Sequence, residues 1–223
     1  MSLSTDIRDH FSDPKVVKKI LGTLNHRISR ECPNIVNLKY SLEHKIIDNS
    51  CIKFRDFPRE SLNEVYVSLG RILENVIECS LAMAGFDVKS ERSSSGDMLV
   101  KNLIERLLWE IKGTSAHDQW TGSTHASKKE NIPMNFLGVG YGLNRDINLF
   151  DLLDGKVNLI DKIFIGVFEN IQLIRIGTHS ENSSRTSLKI SVDDYETVKE
   201  QAAWGWIKKP RKSQKYLHFE TVA

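Results

Sequence analysis

Apolar positions fall into two rhythms along this chain. Behind Asp13-Pro14, Val16, Val17, Ile20, Leu21 and Leu24 recur at helical spacing. A capping carboxylate followed by proline suits a first helical turn, so a helix is predicted over 14–29. Residues 30–60 are mixed and carry Pro33 and Pro58, which predicts short helices or turns. Leu62, Val65, Leu69, Ile72, Leu73 and Val76 then form one stripe at a period of 3.6. Ser61 and Glu64 have the spacing of a capping box, and Gly85 is placed as a stop, so a helix is predicted over 61–85.

After Gly85 the rhythm changes to two. Phe86 and Val88 alternate with polar residues as in a strand, Ser93 to Gly96 reads as a turn, and Asp97 to Val100 opens a second strand. Leu107 to Lys112 is a third. Residues 134–143, 162–168 and 173–176 are short, apolar and strand-like, and 192–206 is predicted as a helix. Gly138, Gly140 and Gly142 lack dinucleotide-loop spacing and point to close strand packing. Helices feeding strands of mixed connection predict an α/β fold, a central mixed sheet flanked by helices. An N-terminal helical decoration over 1–60, a core over 61–175 and a strand, helix and basic segment over 176–223 are expected to form one domain.

Composition narrows the class. The 223 residues are 40% hydrophobic and 27% charged, as in an ordinary globular protein. No apolar run approaches the ~20 residues of a membrane span, and the first residues lack the apolar core of a signal peptide. Three scattered cysteines in no metal-ligand spacing point to a reduced compartment, so a cytoplasmic protein without zinc is expected. Net charge is only +2, and Lys208, Lys209, Arg211, Lys212 and Lys215 supply a local basic patch without which the chain would be net acidic. That patch is a candidate phosphate contact; a solvated basic end is the plain alternative.

The chemistry concentrates in Gly96-Asp97 and Glu110-Ile111-Lys112. In the third strand Leu107, Trp109 and Ile111 face a core while Leu108, Glu110 and Lys112 project from the other side. If the second and third strands form a hairpin, Asp97 falls beside Glu110. Converging carboxylates repel, and a divalent cation relieves the repulsion. Mg²⁺ takes one or two carboxylates plus waters and phosphate oxygens, and a neighbouring lysine suits the attacking water or the developing charge. Glu and Lys two apart on a strand are also a common surface ion pair. The apolar character of the strand argues against that, and Gly96 and Gly113-Thr114 suit close approach of a substrate backbone.

These motifs resemble those of the PD-(D/E)XK nuclease superfamily, and within it the type II restriction endonucleases. Gly96-Asp97 matches the first acidic motif, with Gly96 where proline is usual, and Glu110-Ile111-Lys112 matches the second. The resemblance covers about 61–175. It implies a restriction-endonuclease-like fold and a Mg²⁺-dependent enzyme that cuts double-stranded DNA. Asp97 and Glu110 would hold the metal and Lys112 would act on water or phosphate. Glu74, in the helix before the sheet, aligns with an additional acid of the superfamily; it lies off the centre of the apolar stripe, so a solvent-facing carboxylate is the alternative. A two-fold homodimer would suit a palindromic site.

The polar stretch after the third strand is the first candidate DNA interface: Thr114, Ser115, His117, Asp118, Gln119, Trp120, Thr121, Ser123, His125, Lys128 and Lys129. Ser183, Ser184 and Arg185 form a candidate phosphate loop, and Lys208, Lys209, Arg211 and Lys212 a basic track. A repair nickase or junction resolvase of the same superfamily is the enzymatic alternative. A non-catalytic DNA-binding module with a vestigial nuclease fold is the other.

Overall fold

Leu3, Ile7 and Phe11 repeat every four residues and are fully buried along one helix, α1 (Leu3–Ser12). Asp13 then caps α2 (Pro14–Glu31), its Oδ1 accepting the Lys15 N–H at 2.8 Å, as the sequence predicts. The computed structural model describes residues 2–43, 53–56, 59–93, 96–114, 121–122, 134–171, 173–178, 186–190, 207–208 and 218–219. Between the two prolines lie α3 (Pro33–Glu43) and a 3₁₀ turn at Phe54–Asp56, whose Phe54 is buried.

The long helix α4 spans Arg59–Met83. It opens two residues before Ser61, which is therefore helical and not the cap. Glu64 does not close a capping box but accepts from the Asn34 amide of α3 at 2.6 Å. The far end follows the expectation. Gly85 adopts φ +92°, Phe86 N–H donates to the Leu81 carbonyl and Gly85 N–H to that of Ala82. This pair of bonds closes the helix C-terminus around a left-handed glycine.

The sheet follows directly. Strands β1 (Asp87–Ser93), β2 (Gly96–Lys101) and β3 (Arg106–Thr114) form an antiparallel meander. A two-residue strand β4 (Thr121–Gly122) comes next, then β5 (Met134–Leu143), which pairs with β3 in parallel. Parallel neighbours need a crossover, which explains why a long connection separates Thr114 from Met134. After the short helix α5 (Leu149–Leu153), β6 (Ile160–Ile171) pairs antiparallel with β5. The five-stranded sheet is mixed, in the order β1-β2-β3-β5-β6, so the predicted α/β class holds. Strands β7 (Leu173–Thr178) and β8 (Thr186–Ile190) join β4 in a second sheet, and β9 (Ile207–Lys208) pairs with β10 (His218–Phe219). The predicted helix over 192–206 lies outside the described residues.

One face of the sheet carries the helices. Met98, Val100, Trp109, Ile111, Leu137, Val139, Ile165 and Val167 share a single core with residues of α1, α2, α3 and α4. The N-terminal helices and the strands thus share one hydrophobic core. Asn25 of α2 fastens the layers. Its amide oxygen accepts the Ile160 N–H, and its amide nitrogen donates to the carbonyls of Ile160 and Leu21. Asn25→Leu keeps the branching at Cγ in a bulkier side chain but strips both Ile160 main-chain groups of that partner. Unmet buried polar groups cost about 1–3 kcal/mol each, so urea denaturation should show a loss of about 2–6 kcal/mol. Among the described residues no helix is long and apolar enough to cross a membrane.

Candidate active site

The hairpin of β2 and β3 places the two acids. Its ladder pairs Lys101 with Arg106, Leu99 with Leu108 and Met98 with Trp109. The paired ladder ends at Met98 and Trp109; continued one step, its register would set Asp97 opposite Glu110. Both are half-buried. Asp97 Oδ2 accepts the Ile111 N–H at 2.9 Å, so the carboxylate reaches across to the main chain of β3. A bond to a charged acceptor is stronger than one between neutral groups, and this one fixes the direction of the Asp97 side chain.

Alternation along each strand assigns the face. Met98, Val100, Trp109 and Ile111 enter the helical core, so Asp97, Leu99, Leu108 and Glu110 belong to the opposite face. That face has an apolar floor. Leu99, Phe136 and Phe168 are buried there, outside the helical core. Phe136 is the β5 register partner of Glu110 and pairs in turn with Phe168 of β6. The two rings stack with centroids 6.1 Å apart. A dry floor beneath carboxylates lowers the local dielectric and strengthens attraction to a cation.

Lys112 lies two positions beyond Glu110 on the same strand and pairs with Gly138; Thr114 pairs with Gly140. The Lys112 side chain lies outside the described residues. Two glycines of the sheet sit where a side chain would clash. A Cβ on Gly166 would stand 2.4 Å from the Phe168 ring. Gly113 has no room for a side chain on the helical side: a Cβ there would stand 2.5 Å from Leu73 Cδ2 of α4 and 3.2 Å from the Tyr141 ring. What comes close to Gly113 is the helix.

The same contact locates Glu74. It follows Leu73, so α4 brings it to the end of β3 that carries Lys112 and Gly113. It is half-buried rather than exposed, on the helical side of the sheet. Among the described residues no group of three or more His, Cys, Asp or Glu converges, and Asp97 and Glu110 remain the candidate pair. Two carboxylates from adjacent strands fit a hard cation that keeps several of its waters.

The remaining candidates are less fully placed. Thr121 in β4 pairs with Ser187 of β8, and Lys208 in β9 pairs with His218 of β10. Ser115, His117, Asp118, Gln119, Trp120, Ser123, His125, Lys128, Lys129, Ser183, Ser184, Arg185, Lys209, Arg211 and Lys212 lie outside the described residues. Sequence reasoning missed the Phe136–Phe168 floor, because a buried run such as 134–143 does not reveal which of its two faces neighbours the acids. No protein-family model matches the chain, and no curated protein matches it.

Proposed function

We propose that this chain is a Mg²⁺-dependent endonuclease that cuts double-stranded DNA at specific sites, in the manner of the type II restriction enzymes its motifs resemble. The observation that carries the reading is the Asp97 carboxylate bonded to the Ile111 N–H, between Glu110 and Lys112 on β3. The mixed sheet with a helical layer agrees with the fold that the resemblance implies. A cytoplasmic homodimer on a palindromic site is part of the proposal.

Asp97, held by the Ile111 N–H, and Glu110 would hold the ion. Bound there, Mg²⁺ polarises a phosphoryl oxygen and lowers the pKa of a coordinated water. The Ile111 N–H fixes the Asp97 carboxylate before substrate arrives, which limits the reorganisation that would accompany the reaction. The hydrolysis forms one bond from a water oxygen to phosphorus and breaks one phosphorus–oxygen bond of the DNA backbone. Lys112 supplies a positive charge for the attacking water or for the phosphate as its charge grows.

Digestion of a supercoiled plasmid with and without Mg²⁺ tests the proposal. Discrete fragments only with Mg²⁺ are expected. Random nicking would remove site specificity and favour a repair nickase or resolvase. No cutting, with duplex binding retained, would favour a non-catalytic DNA-binding module. Lys112→Gln keeps a polar side chain, slightly shorter, and removes the charge. Its single-turnover rate should fall by roughly 10²-fold or more, the scale of one lost preorganised charge, with little change in DNA affinity. Weakened binding at an unchanged rate would make Lys112 a phosphate clamp instead.

A further inference from the structure

The helix α1 is fastened at three points, each to a different part of the fold. At its start, Glu105 of the β2–β3 turn accepts the Leu3 N–H through Oε2. Leu3 is the first residue of α1, so its N–H is one of the donors a helix leaves unmet, and the positive end of the helix favours a carboxylate there. The turn that presents Glu105 is itself held. Asn102 N–H donates to the Glu105 carbonyl, and Asn102 Oδ1 accepts the N–H groups of Ile104 at 2.8 Å and Glu105 at 2.6 Å. Midway along α1, Arg8 pairs with Glu169 of β6 at 3.2 Å. At the far end, His10 Nε2 lies 3.0 Å from Ser80 Oγ of α4. The imidazole meets the Phe11 and Phe86 rings edge-on, with centroids 5.0 and 6.1 Å away.

The His10 end is the weak one. The ring is half-buried and lines a cavity of about 360 Å³ bounded by Val16 and Ile20 of α2 and Val76 and Met83 of α4. Groups that line a cavity lack partner atoms on one side and forgo part of their packing energy. A neutral imidazole suits these apolar surroundings and an imidazolium does not. Burial therefore holds His10 below the ordinary histidine value, and the Asp13 carboxylate after α1 opposes that shift without cancelling it. The other ionisable groups on the cavity are Lys19 and Arg27 of α2, two cations that repel an imidazolium, and the Cys79 thiol of α4. Once α1 has left its seat, His10 returns to the ordinary value of 6.5. Docking of α1 is thus strongest above about 6.5 and weakens as the pH falls through the lower docked value, by at most about tenfold per pH unit for one proton.

We propose that α1 is a strap that unclasps at its His10 end in mild acid and, because its start is fastened to Glu105, loosens the β2–β3 hairpin as it leaves. The strap rests on the three ties alone. That it regulates the site carrying Asp97 and Glu110 rests on the nuclease reading.

Amide hydrogen exchange of the full chain tests this between pH 7.5 and 5.5, a window in which an ordinary carboxyl stays ionised. Protection factors, which remove the intrinsic pH dependence of exchange, are the readout. Protection over residues 3–11 should fall by about two- to tenfold across the window. Protection over residues 101–106 should fall with it, while β5 holds. His10→Phe keeps an aromatic ring with no proton to gain, and His10→Gln keeps a hydrogen-bonding group for Ser80. In both, protection over 3–11 should not change with pH. Glu105→Ala should leave the response of α1 in place and separate the turn from it. Level protection over 3–11 in the wild type, or an equal fall in both His10 variants, would overturn the strap. So would a fall in α1 that leaves residues 101–106 unmoved, or one shared by every strand. Plasmid cutting in Mg²⁺ at pH 7.5, where the strap is closed, reads the nuclease proposal separately. No cutting there would leave the strap standing, and level protection beside normal cutting would leave the nuclease standing.

Discussion

Asp97→Asn and Glu110→Gln should each cut plasmid DNA in Mg²⁺ at least 10²–10³-fold more slowly than the wild type, the size of loss expected when one preorganised charge leaves a reacting centre. Both should still bind duplex. The amides keep shape and remove charge, so the loss would belong to the acid pair. Asp97→Ala is a different experiment. It also deprives the Ile111 N–H of its 2.9 Å acceptor, a cost of about 1–3 kcal/mol, whereas asparagine retains an oxygen there. The expected order of stability is Asp97→Asn above Asp97→Ala, with both nearly inactive, measured by urea denaturation beside the cleavage assay. Near wild-type cutting by either amide variant would place the chemistry elsewhere.

The hairpin that aligns the acids was legible because a period of two is rigid. Once β2 and β3 are strands joined by a short turn, Asp97 and Glu110 can lie side by side, and burial of Trp109 and Ile111 assigns Glu110 to the other face. The stop of α4 was legible for the same kind of reason: Gly85 is where a left-handed residue is needed. Its start was not. A capping box is three residues of local preference, and α4 runs through Ser61 with Glu64 engaged by Asn34 of another helix.

Long-range contacts account for what else the sequence did not reveal. Repulsion between two carboxylates predicts that removing either is harmless to stability. The main-chain bond of Asp97 reverses that for alanine, and only the coordinates reveal it. Gly113 gives no local sign that Leu73, 40 positions earlier in the chain, occupies the place its side chain would take. The helix α1 is weakly marked in the sequence although Leu3, Ile7 and Phe11 have helical spacing, because ten residues with three apolar anchors are a weak local signal until β6 and α2 cover them. The hairpin tip is the converse. Leu103-Ile104 looks like ordinary apolar sequence, and only its exposure sets it apart.

The largest effect on stability should come from Trp109. It is fully buried and lies between Glu110 of the candidate site and the helical core, with Met98 as its β2 partner. Trp109→Ala removes the whole indole, and truncations of this kind cost about 3–5 kcal/mol against a total stability of about 5–15 kcal/mol. At about 2–4 °C per kcal/mol the melting temperature should fall by roughly 6–20 °C. Trp109→Phe should cost far less. It keeps an aromatic ring in the core, and the indole N–H that it deletes has no hydrogen-bond partner among the described residues. The two variants separate packing from chemistry when set beside Asp97→Asn. Trp109→Ala should lose cutting and stability together, because β3 carries Glu110 between Trp109 and Ile111. Asp97→Asn should lose cutting alone. Urea midpoints alongside plasmid cleavage give both quantities on the same samples. If Trp109→Ala unfolded at the wild-type urea concentration, the indole would not be part of the core that holds β3 in place.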